Sequence, residues 1–163
     1  MESYRVRLAE ESLAFSAAHF ITMEGGCCEA LHGHNYRVTA EIAGPLGESG
    51  YVVDFRAAAA ALRAVIAELD HGVLLPTEHP GLRLTAGQEE VEVRWGRRRW
   101  VFPRSDCRLL PLANTTAELL AQYLGRRLLD ALPSSPAGMR PQSLRVEVEE
   151  SPGQAAIWEL RGG

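Results

Sequence analysis

Two segments of alternating polarity constrain the fold of this chain more than any other feature. In Asn35–Ala43 every second residue is apolar, and Ser143–Glu149 repeats the pattern near the other end of the chain. Because residues two apart on a strand share a face, each segment predicts a strand with one buried and one exposed side. Ala155–Leu160 is a candidate hairpin partner of the second segment. The buried face of the first strand should carry Tyr36, Val38, Ala40 and Ile42.

Two helices are predicted between these strands. The first is Phe55–Leu69, which is rich in alanine and follows Asp54, a residue type that caps helix N-termini. The second is Thr115–Leu132, where Thr115 and Glu118 stand at the spacing of a capping box. The apolar stripe of the first helix comprises Leu62, Val65, Ile66 and Leu69.

The connection between the helices has strand character. Glu90–Arg94 alternates in polarity, and Trp95-Gly96-Arg97 predicts the turn that leads to Arg99–Pro103. We therefore expect a β-hairpin within about residues 82–112. With a long opening strand region at Tyr4–Ile21, the element order becomes β, β, α, hairpin, α, β, β. This order is typical of an α+β domain with an antiparallel sheet.

Composition narrows the class of protein. The chain has 163 residues, a length typical of one domain, and all 17 of its basic residues are arginine. The lack of lysine excludes a Schiff-base lysine, the lysine of a phosphate-binding loop and a lysine general base. The formal net charge of −4 argues against a protein whose main partner is nucleic acid.

The cysteines and the chain start indicate a compartment. Cys27, Cys28 and Cys107 are an odd number of cysteines and two of them are adjacent, so no disulfide framework is expected. The first residues show no basic segment followed by an apolar run, and the longest apolar stretch is far shorter than a membrane span. We therefore expect a protein of the reducing cytoplasm that does not bind a membrane.

Histidines form the candidate metal site. His32-Gly33-His34 places two imidazoles two residues apart, so that on an extended chain both can reach one metal ion. His19 ends the preceding predicted strand, which can fold back to the same place. Three neutral imidazoles without a fourth protein ligand are typical of a catalytic zinc site with an open position. The alternative is that these are unrelated surface or core histidines.

Two further groups are candidates for proton transfer. Cys28 lies four residues before His32, and a thiol beside a divalent cation can ionise and act as a base. By spacing alone, Cys27 or Cys28 could instead be a zinc ligand. Asp70 and His71 follow the first helix and offer a carboxylate beside an imidazole, provided that the backbone turns sharply, as Gly72 suggests. A solvated helix terminus is the alternative for this pair.

Several segments together resemble one known family. They are Phe15-Ser16-Ala17-Ala18-His19, the run from Cys28 to Tyr36, Leu69-Asp70-His71, Tyr51–Phe55, the run from Asn114 to Glu118, and Val148-Glu149-Glu150-Ser151 followed by Ala156-Ile157-Trp158. They are similar to the 6-pyruvoyltetrahydropterin and 6-carboxytetrahydropterin synthases over nearly the whole chain. The resemblance implies the tunnelling fold, an antiparallel sheet with two helices on one face, with an added β-hairpin between the helices here. It also implies homo-oligomers, namely hexamers with active sites at subunit interfaces.

The resemblance implies roles for individual residues. The zinc ligands would be His19, His32 and His34, with Zn2+ as the cofactor. Cys28 corresponds to the general base, and Asp70 with His71 to a second proton-transfer pair. Glu150 corresponds to the glutamate that anchors the pterin ring, since a carboxylate can accept two hydrogen bonds from its amino and ring N–H groups. Thr116 and Glu118 match positions near the pterin, although a capping box explains Glu118 equally well.

The implied activity is that of a zinc-dependent lyase acting on 7,8-dihydroneopterin triphosphate. The spacing of Cys28 and His32 resembles bacterial members that form 6-carboxytetrahydropterin for the queuosine route, and 6-pyruvoyltetrahydropterin is a competing product. Glu29 adds a second signal, because a glutamate at this place marks family members that cleave the dihydroneopterin side chain for folate synthesis. A zinc-containing pterin-binding homologue without turnover is the third alternative.

Two features have more than one interpretation at this stage. Glu29 is either a base or a solvated loop residue. Arg97, Arg98 and Arg99, at the tip of the predicted hairpin, either steer a triphosphate or form a solvated turn.

Overall fold

The computed structural model describes residues 3–132 and 140–162 and consists of strands with two helices between them. The helices are α1 (Phe55–Ala67) and α2 (Ala117–Ala131). Within the described ranges, neither is long and apolar enough to cross a membrane. The strands are β1 (Tyr4–Leu8), β2 (Ala14–His19), β3 (Thr22–Met23), β4 (Cys27–Cys28), β5 (His32–Gly44), β6 (Gly72–Pro76), β7 (Arg83–Ala86), β8 (Glu90–Trp95), β9 (Arg98–Pro103), β10 (Cys107–Leu110), β11 (Ser143–Ser151) and β12 (Gln154–Arg161).

The central sheet is built around β5, which is 13 residues long. β1 and β2 pair antiparallel with successive parts of one edge of β5, and β11 pairs antiparallel with the other edge. β12 pairs with β11 as the predicted hairpin. On the other side β6 pairs with β2 and β10 pairs with β6, and both pairings are parallel. The sequence indicated only antiparallel pairing, because a short apolar strand such as β6 carries no signal of its direction.

The two helices cover one face of this sheet. Tyr36, Val38, Ala40 and Ile42 are buried as predicted, and they share one core with the apolar stripe of α1 and with residues of α2. Asp54 accepts a hydrogen bond from the backbone N–H of Ala57 at 2.9 Å, so the predicted cap is present. The α+β architecture with both helices on one face is confirmed.

The start of α2 differs from the predicted capping box. Thr116, not Thr115, is the N-cap residue, and its hydroxyl accepts a hydrogen bond from Leu119 N at 3.4 Å. Glu118 is therefore one position too early in the helix to complete a capping box. Thr115 is fully buried, and its hydroxyl donates to the carbonyl of Phe20 at 3.2 Å.

A separate antiparallel sheet, β7–β8–β9, lies in the chain between α1 and α2. β8 and β9 form the predicted hairpin, whereas β7 was not predicted because four residues are too few to show alternation. Val91 and Val93 on β8 are buried in a second apolar cluster together with Phe20. Phe20 directly follows His19, so this sheet packs next to the candidate metal site.

Candidate metal centre and active site

Three histidines converge where β2 ends and β5 begins. His19 lies directly opposite His32 in the β2–β5 pairing, and His34 follows two residues later on the same face of β5. One ligand atom from each of the three side chains lies within 4.8 Å of the others. Phe15 and Tyr36 continue this face and stack with ring centroids 4.6 Å apart. The structure thus brings together the three histidines that the sequence singled out.

Backbone carbonyls orient two of the imidazoles. His19 Nδ1 donates to Thr115 O at 2.9 Å, and His32 Nδ1 donates to Ala30 O at 2.8 Å. Because a carbonyl oxygen can only accept, each ring carries its proton on Nδ1 and presents the lone pair of Nε2. Metal-binding histidines are usually held in this way. The three nitrogen donors therefore fit a divalent ion such as zinc.

Burial favours the metal-binding form of His19. Its side chain is only 1% exposed, and this burial lowers the pKa of the imidazole, although the Thr115 carbonyl and Glu150 act in the opposite direction. A neutral imidazole is the form that coordinates a metal ion. His19 is therefore prepared for binding by its surroundings.

The carboxylate of Glu150 lies at the edge of the histidine cluster. Its Oε1 atom is 3.3 Å from His19 Nε2 and 3.7 Å from His34 Nε2. Tyr36 donates its phenolic O–H to the same oxygen at 3.3 Å. Burial first, and then the charge of Glu150, raise the pKa of the Tyr36 phenol, so this group remains a donor. Glu150 is thus held in place by a buried hydroxyl.

Glu29 also points to the histidines. Its Oε2 atom lies 3.8 Å from His32 Nε2, and its side chain is 30% exposed. The backbone N–H of Glu29 donates to Ile21 O at 3.0 Å, which holds the residue beside the end of β2. The backbone N–H of Ile21 also donates to Glu29 Oε2 at 3.4 Å, so the carboxylate is held beside the histidine cluster.

Cys28 lies one residue earlier, in the short β3–β4 ribbon, opposite Thr22. Its thiol is 3.6 Å from Glu29 O and is partly buried, and this burial raises the pKa of the thiol. All three cysteines are free; Cys27 is exposed and Cys107 is buried. Of the adjacent pair, Cys28 is therefore the partly buried one, and it packs against the apolar cluster that contains Phe20.

The side chains of Asp70 and His71 contact each other directly. His71 Nδ1 lies 2.9 Å from Asp70 Oδ2, and the other carboxylate oxygen accepts a hydrogen bond from Ser16 N at 2.8 Å. This bond is the main reason that the pKa of Asp70 is lowered. The sharp turn that brings the two side chains together is at His71 itself, with φ of 53°, rather than at Gly72.

The pair borders the opposite face of the central sheet. Ser16 and Asn35, which are hydrogen-bonded across β2 and β5, alternate with His19 and His34 and so point away from the helices. With His34, His71 and Asp106 they line an open cleft of about 440 Å³. Within residues 3–132 and 140–162, no hydrogen bond or ion pair links Asp70 or His71 to Cys28 or to the histidine cluster.

A second cavity adjoins Glu150. It has a volume of about 470 Å³, and Thr116, Glu118 and Glu150 are among its lining residues. The three residues assigned to pterin binding therefore border one cavity, at the N-terminus of α2.

Some contacts of the site were not foreseen. Thr115 and Ala30 act through main-chain carbonyls, which leave no trace in a side-chain pattern. Tyr36 was predicted only as a core residue. The available signal was its hydroxyl, placed on the face of β5 that carries His34.

Comparisons with known sequences identify the family. A family profile described as 6-pyruvoyl tetrahydropterin synthase matches residues 9–160. A relative from Methanocaldococcus jannaschii is 29% identical over 147 residues, covering 90% of this chain and 89% of the relative. A relative from Pyrococcus abyssi is 32% identical over 139 residues, covering 85% and 80%. Both are named putative 6-carboxy-5,6,7,8-tetrahydropterin synthases.

Solved structures agree with this result. The 6-pyruvoyl tetrahydropterin synthase of Plasmodium vivax matches with a TM-score of 0.91 at 27% identity, covering 99% of this chain and 100% of that one. The Plasmodium falciparum protein matches with a TM-score of 0.91 at 30% identity, covering 98% and 99%. Two more Plasmodium vivax structures are described as catalytic-residue mutants in which a glutamate is replaced by alanine or cysteine. The predicted fold and the prediction of a lyase-type enzyme are confirmed, and the chain belongs to the 6-pyruvoyl tetrahydropterin synthase family.

Proposed function

We propose that this protein is a zinc-dependent lyase that converts 7,8-dihydroneopterin triphosphate and water to 6-carboxytetrahydropterin, the product that feeds the queuosine route, with release of acetaldehyde and triphosphate. The observation that carries the proposal is the cluster of three imidazoles with the carboxylates of Glu29 and Glu150 beside it. The names of the archaeal relatives favour the carboxy product. The names of the Plasmodium structures favour 6-pyruvoyltetrahydropterin as the competing product.

His19, His32 and His34 would hold the metal through Nε2. When bound, zinc would act as a Lewis acid on side-chain oxygens of the substrate and stabilise negative charge that develops there. The hydrogen bonds from Nδ1 of His19 and His32 to carbonyl oxygens support this assignment, since they leave Nε2 free in both rings.

Glu150 would anchor the pterin ring. A carboxylate at the rim of the cavity beside Thr116 and Glu118 can accept parallel hydrogen bonds from the amino group and a ring N–H of a pterin. The bond from Tyr36 to Oε1 fixes the carboxylate while leaving acceptor capacity for the ring. The substrate side chain would then extend toward the histidines.

Cys28 would remove the proton from the side-chain carbon next to the ring. Burial keeps its thiol protonated in the chain alone, and a divalent cation at the histidine cluster would favour the thiolate. His71, oriented by Asp70, would transfer the second proton.

The position of Asp70 and His71 supports a site shared between subunits. In the part of the chain that the structure describes, the pair has no hydrogen bond or ion pair to the histidine cluster of its own chain, so a second copy of the chain would supply it to a given metal centre. β12 is an edge strand of the sheet, so its outer backbone groups could pair with another chain. We expect a homo-oligomer, a hexamer by family resemblance, whose mass is measured by light scattering after size exclusion.

The side-chain cleavage of dihydroneopterin is the second candidate activity. Glu29 favours it, because its carboxylate lies 3.8 Å from His32 and could take the proton from a side-chain hydroxyl. The carbon–carbon bond would then break in a retro-aldol step that releases an aldehyde, and return of the proton to the carbon that stays on the ring would give 6-hydroxymethyldihydropterin. The glutamate called catalytic in the Plasmodium vivax structures supports a carboxylate base in this family.

Product analysis with two substrates tests these proposals. The zinc-loaded protein is incubated with 7,8-dihydroneopterin triphosphate or with dihydroneopterin, and the products are separated by chromatography. We expect Cys28→Ala to lower formation of the carboxy product by about 100-fold while keeping the metal. Cys27→Ala is the matched control and should stay active. If Glu29→Gln loses only the hydroxymethyl product, Glu29 is the base of the second activity.

Two results would contradict the main proposal. Purified protein that keeps stoichiometric metal after His32→Ala and His34→Ala together would refute the metal site. Loaded wild-type protein that binds pterins without turning over either substrate would instead favour the non-catalytic homologue.

A further inference from the structure

Arg98 connects the β7–β9 sheet to the segment that carries Cys28 and Glu29. Its Nη1 atom donates to the carbonyl oxygen of Cys28 at 2.6 Å. Its guanidinium also lies over the ring of Trp100, 4.6 Å from the ring centroid. The guanidinium is therefore held on two sides, by a carbonyl and by an aromatic face.

Trp100 links the same sheet to the other side of the site. Its ring stacks on Phe20 with centroids 4.6 Å apart and an angle of 12° between the planes. Phe20 is 1% exposed and directly follows His19. The β7–β9 sheet thus contacts both the residue after His19 and the residue before Glu29.

The neighbouring arginines have different surroundings. Arg99 pairs with Glu92 at 2.6 Å, and Arg94 pairs with the other oxygen of the same carboxylate at 2.5 Å. Arg97 is exposed next to the turn at Gly96. Among the described residues, Arg98 has no carboxylate within ion-pair distance, and its guanidinium instead donates to the Cys28 carbonyl. All three arginines at the hairpin tip are exposed, but they differ in their partners.

The segment around Cys28 is a short ribbon whose restraints lie mainly at its two ends. β3 and β4 contain two residues each, and Gly25 and Gly26 between them both have positive φ. The ends of the segment are held by the hydrogen bonds of Thr22 to Asn114 and His79 and by the hydrogen bond from Glu29 N to Ile21 O. At Cys28 itself, the charge-assisted hydrogen bond from Arg98 ties the backbone to the β7–β9 sheet.

We infer that Arg98 is a positioning residue that holds the Cys28–Glu29 segment against the histidine cluster. The inference rests on the proposed function in one respect, since that function makes Cys28 or Glu29 the base. It gives the β7–β9 sheet a role in catalysis without contact to the substrate.

Hydrogen exchange tests the positioning directly and without substrate. Metal-loaded wild type, Arg98→Leu, Arg98→Lys and the matched control Arg97→Leu are compared by mass spectrometry of peptides covering residues 22–31. We expect amides of this segment to exchange about tenfold faster in Arg98→Leu, at an intermediate rate in Arg98→Lys, and at the wild-type rate in Arg97→Leu. Equal exchange in Arg98→Leu and wild type, with equal metal content, would overturn the inference.

Steady-state kinetics separate positioning from substrate binding. We expect Arg98→Leu to lower kcat by about tenfold with little change in KM, and Arg98→Lys to recover part of the loss. An increased KM with unchanged kcat would assign Arg98 to the charged tail of the substrate and overturn a positioning role. If the wild-type protein turns over neither pterin, the proposed function fails, and the exchange comparison alone decides the role of Arg98.

Discussion

Replacing Thr115 by valine should loosen His19 without changing the histidine. Thr115 is fully buried, its hydroxyl donates to Phe20 O at 3.2 Å, and its own carbonyl accepts from His19 Nδ1 at 2.9 Å. Thr115 is thus hydrogen-bonded both to the imidazole of His19 and to Phe20, the residue that follows His19. Valine keeps the shape of threonine but removes the donor to Phe20.

The size of the effect follows from burial. Phe20 is 1% exposed, so water cannot replace the lost donor. Leaving a buried carbonyl without its partner costs about 1–3 kcal/mol, and we expect the free energy of unfolding of the metal-free protein to fall by about 2 kcal/mol. Loss of a group that orients a metal-binding histidine weakens metal binding by about 10- to 100-fold. We expect the lower value here, because the hydrogen bond from His19 Nδ1 to Thr115 O remains.

Urea unfolding of the metal-free protein and competition with a chromogenic chelator measure the two quantities. Thr115→Ser is the matched control, since it keeps the hydroxyl and loses a methyl group. It should cost about 1 kcal/mol of stability while metal affinity stays near that of wild type. If Thr115→Val binds zinc as tightly as wild type, the hydroxyl does not help to position His19 and the reasoning is wrong.

Three further predictions concern stability. The pKa of Asp70 is lowered, chiefly by the hydrogen bond from Ser16 N. The ionised carboxylate therefore stabilises the folded protein above the ordinary pKa of aspartate, and this stabilisation is lost as the pH falls through the lowered pKa. Urea midpoints measured from about pH 6 to about pH 3 should therefore fall less steeply for Asp70→Asn than for wild type; parallel curves would contradict this. A Cβ at Gly125 of α2 would overlap the ring of Trp158. Overpacking should cost about 2 kcal/mol, and the better helix propensity of alanine should return about 1 kcal/mol. Gly125→Ala should therefore lower the free energy of unfolding by about 1 kcal/mol. A stabilised variant in thermal unfolding would show that Trp158 moves freely. Asp54→Ala removes the cap bond to Ala57 N and should cost about 1 kcal/mol in urea unfolding, whereas Asp54→Asn should retain most of that stability.

The central elements of the fold could be predicted because their signals are local. The alternation of β5 and of β11 defines which side chains face the core, and Asp54 marks the start of α1 whatever the rest of the chain does. The parallel placement of β6 and β10 depends on contacts between distant segments, which no local pattern contains. The same limit explains the shift of the α2 cap, because the buried contact of Thr115 with Phe20 competes with capping.

In the candidate site, too, some residues could be found from local sequence patterns and others could not. The histidines could be found because their residue type and spacing carry the chemistry. Glu29 and Cys28 are adjacent in the sequence, and only the backbone course shows that the Glu29 carboxylate turns to His32. Arg97, Arg98 and Arg99 are identical as residues, so their different surroundings depend on the path of the hairpin rather than on any pattern.

The direct pairing of His19 with His32 makes the metal a probe of how the sheet assembles. A shift of one residue between β2 and β5 would turn the imidazole of His19 to the other side of the sheet and separate it from His34. Cobalt(II), whose absorption spectrum depends on its coordination, can therefore report the moment at which these two strands reach their native alignment. Circular dichroism recorded in the same refolding experiment would follow α1 and α2. The delay between the two signals would then give the order in which helices and strands form.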